Sequence, residues 1–198
     1  MIDDLAKDSL HGQLRSIRQA LVWKLDGLSE YDVRRPLTAT GTNLLGLVKH
    51  VATVEARYFG EVFDRPFPVP LGRWQDADGS DLWAAQDETR DQIIGFYQRA
   101  WVHADATINE LPIDARGHVP WWSRLDVKLF NIMIHVFQET TRHAGHADIL
   151  REQIDGRTGL RAEYEEQIDT AARQAHWAKI ERAAQAAADG SHGAVGTP

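Results

Sequence analysis

The chain has 198 residues, no cysteine, and 22 basic against 29 acidic side chains for a formal charge of -7, which is enough length for one domain with a real core and short appendages. The absence of cysteine excludes a disulfide framework, a Cys-rich zinc site, an iron–sulfur cluster and a cysteine nucleophile, so any metal must be held by His and carboxylates. Net acidity without a basic stripe argues against nucleic acid; with no cationic leader and no run of roughly 18 apolar residues, the expectation is a cytoplasmic protein with no membrane partner.

The apolar spacing is helical nearly throughout. Over residues 3–28, Leu10, Leu14, Ile17, Leu21 and Leu25 recur at steps of three and four, which predicts one buried helical face. A polar loop with Pro36 and Gly41 follows, and Thr42 is the expected N-cap of a second helix over 43–63, carrying Leu44, Leu47, Val48, Val51, Val54, Tyr58 and Val62 along one side. Pro66, Pro68 and Pro70 cannot continue that helix and predict a long, stiff crossover. Ser80 is the expected cap of a third helix reaching Leu111, with Ile93, Ile94, Tyr97, Trp101, Ala104 and Ile108 facing inward. A loop with Gly117, Pro120, Trp121 and Trp122 leads to a fourth helix from Ser123 or Asp126 to Ile154, stopped by Gly156. An Ala- and Glu-rich stretch over 160–188 reads as a further helix and the residues from Asp189 as a frayed tail, with no strand anywhere. The pattern predicts an all-α protein, a four-helix bundle over 1–156, a helical extension over 157–188 and a flexible tail over 189–198. The extension has the choice of packing on the bundle or on a neighbour, which leaves a homodimer open.

Of nine histidines, His11, His103, His118, His176 and His192 have no partner at helical spacing and read as solvated or singly hydrogen-bonded. The fourth helix differs. With His135 at zero on a helical wheel, His146 falls near about 20°, Glu139 near about 40° and His143 near about 80°, while the apolar residues occupy about 60° to 200°. His143 therefore lies within the core face and Glu139 at its border. A Glu and a His four residues apart can converge on one ion, although the same spacing is common on solvated faces. His50, at the border of the second helix's apolar arc, is the candidate third donor. Two imidazoles and a carboxylate leave a fourth coordination position open, as catalytic zinc sites do. Glu55 falls within the apolar face of the second helix and needs a partner there, either a ligating imidazole to orient or an Arg to pair with. Trp23, Trp83, Trp101 and Trp177 read as packed on helices, whereas Trp121 and Trp122, just before the fourth helix, read as the lining of a pocket mouth.

Two runs carry a family likeness. Asn43-Leu44-Leu45-Gly46-Leu47-Val48-Lys49-His50-Val51 with Val54-Glu55, and Glu139-Thr140-Thr141-Arg142-His143-Ala144-Gly145-His146-Ala147-Asp148-Ile149-Leu150-Arg151-Glu152, resemble the DinB-like superfamily, and within it the branch grouped with mycothiol transferases. The resemblance covers residues 8–156. It implies an up-down-down-up bundle and a divalent metal, zinc foremost with nickel as the other common choice, held by His50, Glu139 and His143. His146 then has no ligand role and, with Glu55, His135, Arg142, Trp121 and Trp122, surrounds the site. The implied activity is transfer or isomerisation that uses a low-molecular-weight thiol, mycothiol, as cosubstrate on small electrophiles, in a detoxifying role. The rivals are a metal-dependent hydrolase with the same site and a non-catalytic metal-binding member of the superfamily.

Overall fold

The computed structural model describes residues 2–71, 79–162 and 169–192. Met1–Tyr164 form one compact unit and Glu165–Pro198 a second. The first contains α1 (Ile2–Trp23), α2 (Glu30–Arg34), α3 (Leu44–Tyr58), α4 (Arg90–Glu110) and α5 (Leu129–Asp155), with a two-stranded sheet of β1 (Arg116–His118) and β2 (Asp126–Lys128); the second contains α6 (Thr170–His192). The described part of the chain is mostly helical, and none of its helices is long and apolar enough to cross a membrane.

The four long helices of the first unit pack where their apolar stripes fall. Leu14, Ile17 and Leu21 of α1, Leu44, Leu47, Val48, Val51 and Val54 of α3, Ile93, Tyr97 and Ala104 of α4, and Ile132, Met133, Val136 and Ala147 of α5 are buried. Contacts fix the relative directions. On α1 and α4, Arg18 meets Asp105 while Lys7 reaches the Leu111 carbonyl, so those helices run antiparallel. Lys49 meets Glu88 just ahead of α4, and Thr107 near its end reaches the Phe59 carbonyl, so α3 and α4 run parallel. Two parallel neighbours in succession require a long return, and residues 59–89 supply it. The proline-containing stretch follows a 3-10 turn at Glu61–Phe63, and its Phe67 is buried against Phe96 and His103 of α4.

Several boundaries differ from those the sequence suggests, each for a local reason. α1 ends at Trp23 rather than near Leu28, because the chain turns through Gly27 at φ 73°; Ser29 then caps the short α2 by accepting from the Asp32 amide. Asn43, not Thr42, caps α3: its extended backbone lets the side-chain oxygen accept from the Gly46 amide at 2.8 Å. The third long helix starts at Arg90, ten residues after Ser80, where Thr89 and Gln92 form a capping box. The intervening residues 79–89 are irregular and carry Trp83, 49% exposed and outside any helix. The hairpin β1–β2 stands where no strand was expected. Three residues per strand is too short for alternation to be read, and only its pairing, Gly117 opposite Val127, reveals it. The fourth long helix consequently begins at Leu129 and ends, as expected, at Gly156 in left-handed conformation. In the second unit, α6 continues through Asp189 to His192 and leaves Trp177 65% exposed rather than packed. The earlier part of the expected extension at 163–168 and the tail from 193 lie outside the described residues.

Two apolar clusters fill the first unit, one around Leu14, Ile17, Val54, Ile132 and Val136, the other around Leu21, Leu45, Val51, Tyr97 and Leu150. Charged side chains occur between them in the chain. Arg18 of α1 forms ion pairs with Glu55 of α3 and, at 2.6 Å, with Asp105 of α4; His11 and Arg15 also hold Asp105. Glu55 thus takes the Arg partner rather than a ligating imidazole. Burial pushes its carboxyl up to about 7 against the opposing pull of Arg18.

Candidate metal centre

Helices α3 and α5 lie side by side in antiparallel order, since His50 packs on His143 and, two turns further along α3, Tyr58 packs on His135, two turns earlier on α5. The helical spacing of His135, Glu139 and His143 therefore lays one donor per turn along the seam. His50, Glu139 and His143 each offer an atom within 4.8 Å of the other two, and each is half-buried. Donors about 2.1 Å from one tetrahedral zinc are separated by about 3.4 Å, inside the 4.8 Å within which these three atoms lie. Among the described residues this is the one such group of three or more His, Asp or Glu side chains.

The imidazole of His143 fits such an ion. Among the described residues its Nδ1 is buried without a hydrogen-bond partner, and its Nε2 is 3.7 Å from Glu139 Oε1, beyond hydrogen-bonding range. Burial, then the neighbouring His50, pushes its pKa down to about 4, with Glu139 opposing. The ring is therefore neutral near neutral pH and keeps the lone pair that a metal requires. His50 is positioned differently: Asp81, from the irregular segment before α4, lies 2.7 Å from its Nδ1. The sequence reading missed Asp81, having assigned it to a helix. The signal available was Gly79 directly before Ser80-Asp81, a turn-forming sequence that competes with a helix start there.

The surrounding residues separate into two groups. Arg142, 3.9 Å from Glu139, and His146, whose ring centroid is 5.4 Å from that of His143, are exposed at the rim. Trp121 and Trp122 both donate their indole N–H to the Tyr58 oxygen, at 3.1 and 2.9 Å, and His135 packs on Tyr58 and Trp122 with centroids 4.5 and 4.8 Å away. Burial lowers the pKa of His135, with Glu139 opposing. An aromatic wall thus begins one turn of α5 from Glu139. A separate cleft of about 430 Å3 on α3 and α4, lined by Lys49, Thr53, Gln92 and Phe96, holds none of the three donors.

A mostly helical fold whose antiparallel pair α3 and α5 gathers two imidazoles and a carboxylate defines a helical protein with a group that could hold a divalent ion. The sequence matches the family described as mycothiol-S-transferase over residues 9–156, and the chain belongs to that family, a DinB-like one. The family points to mycothiol-related S-transferase activity and to a small-molecule thiol as partner. No curated protein matches the chain.

Proposed function

We propose that the protein is a metal-dependent mycothiol S-transferase acting on small electrophiles, built as an up-down-down-up four-helix bundle over residues 1–156 with 157–188 as an extension. One observation carries this: in a chain of the mycothiol-S-transferase family, His50, Glu139 and His143 converge to within 4.8 Å. A divalent ion held by these three residues, zinc foremost, would supply a Lewis acid that keeps a thiol ionised near neutral pH. The chain's own residues do the rest. His143 remains neutral as a donor, Glu139 brings the single negative charge of the set, and Trp121, Trp122 and His135 present an aromatic face against which an electrophile would rest while the thiolate sulfur bonds to its carbon and the displaced group leaves with the electron pair of the broken bond. With no cysteine in the chain, the sulfur belongs to the cosubstrate. The setting is a cytoplasmic detoxifying role.

Metal analysis of untagged protein tests the site: the expected result is about one divalent ion per chain, lost in His50→Ala and in His143→Ala with helical circular dichroism retained. Full metal content in both variants would refute the ligand set. Turnover of a model electrophile is expected only with mycothiol present; reaction without added thiol would replace the transferase by a hydrolase.

A further inference from the structure

We propose that Asp81 is a positioning residue that selects the nitrogen His50 presents to the metal site. The inference rests on the ligand set just proposed and deepens it by naming a residue outside the set on which its geometry depends. The Asp81 carboxylate is 2.7 Å from His50 Nδ1. A carboxylate only accepts hydrogen bonds, so a neutral imidazole bonded to it carries its proton on Nδ1 and its lone pair on Nε2. Removing that acceptor takes away its preference for the Nδ1–H form, and an imidazole protonated on Nε2 has no lone pair on that nitrogen to give a metal.

Asp81 belongs to no helix, so its reach to His50 depends on how residues 79–89 are seated. Asn43 Nδ2 donates to the Leu82 carbonyl at 3.3 Å, and Lys49 Nζ to the Trp83 carbonyl at 3.1 Å and to Glu88 at 2.8 Å. Between these anchors lies Gly46, one turn before His50 on the same face of α3. A Cβ built at Gly46 would fall inside the Leu82 carbonyl group. A glycine there lets the segment descend onto α3, and the residue preceding Leu82 is the one that meets His50. Gly46 thus acts on the metal site through backbone approach, without touching it.

The test uses the full chain and two readouts. In metal-free protein at about pH 8, where ordinary imidazoles are neutral, long-range 1H–15N spectra are expected to show His50 as the Nδ1–H tautomer. The same spectra should show a mixture in Asp81→Ala and the wild-type tautomer again in Asp81→Asn, whose amide oxygen still accepts. Zinc affinity, measured by competition with a chromophoric chelator, is expected to fall about 10- to 100-fold in Asp81→Ala, to fall in Gly46→Ala, and to fall least in Asp81→Asn. Metal-free melting temperatures of the two Asp81 variants should match wild type, separating positioning from folding. Wild-type tautomer and unchanged zinc affinity in Asp81→Ala would overturn the proposal. A wild-type His50 without the Nδ1–H preference, in protein that binds zinc, overturns it while leaving the metal site intact; the Nδ1–H tautomer in protein that takes no zinc overturns the metal site and with it this role.

Discussion

A buried histidine ordinarily finds hydrogen-bond partners, and one without them forfeits about 1–3 kcal/mol. His143 has a buried Nδ1 with no such partner, on the helix face that also carries Glu139. Tyr58 shows the opposite arrangement at the other end of the same seam, where its single oxygen accepts from two indoles. Tyr58→Phe keeps the ring and removes the acceptor, stranding the half-buried Trp122 N–H. The expected outcome is a loss of about 1–2 kcal/mol with altered tryptophan emission, and with metal content as in wild type because Tyr58 is two turns from His50. Urea titration and fluorescence check it; an unchanged midpoint and spectrum would mean that the bonds to Trp121 and Trp122 contribute nothing.

At the scale of elements, the entry to α4 shows what sequence pattern can and cannot locate. Thr89 accepts from the Gln92 amide at 3.1 Å while the Gln92 side chain accepts from the Thr89 amide at 2.8 Å. Thr89→Ala is expected to cost about 1 kcal/mol and to lower the melting temperature by about 2–4 °C in a chain of this size; calorimetry that finds no shift would rule out the capping box as a determinant of this helix end. Ser80 offers the same chemistry as Thr89, and the residues between them lack a buried apolar face, a difference visible only once Leu82 and Trp83 prove exposed. The stripe of His135, Glu139 and His143 was legible because helical phase is a local property, and His50 because its border position is one too. The bond from Asp81 to His50 was not, since it depends on a close approach at Gly46 by a segment without periodicity. The β1–β2 hairpin escaped for the related reason that three-residue strands leave no pattern.

Across the whole molecule, Arg18 joins α1 to both α3 and α4 through Glu55 and Asp105. Burial by itself would raise the Asp105 carboxyl, but Arg18 and then His11 outweigh it and hold the pKa below the ordinary 3.8. A depressed pKa in the folded state contributes stability that is present above the ordinary value and lost as the pH falls through the lower, folded one. Asp105→Asn is therefore expected to destabilise the protein at neutral pH by about 2 kcal/mol, below the 3–5 of fully buried pairs because solvent screens part of the carboxylate. The difference from wild type should shrink as the pH falls below the ordinary 3.8 and through the depressed folded-state pKa, where the carboxylate itself becomes protonated. Unfolding titrations across that range decide it: a gap that stays constant with pH would show that Asp105 acts by packing rather than by charge.

The antiparallel seam of α3 and α5 has a further consequence. Its donors come from opposite ends of the folded unit's sequence, His50 early and Glu139 and His143 late, and they meet only once the two helices have docked. A chain with no cysteine has no covalent cross-link to hold distant segments together, so an ion bound across that seam would be its staple. Because such an ion favours the native state by mass action, the protein's resistance to unfolding would then rise and fall with the free metal around it.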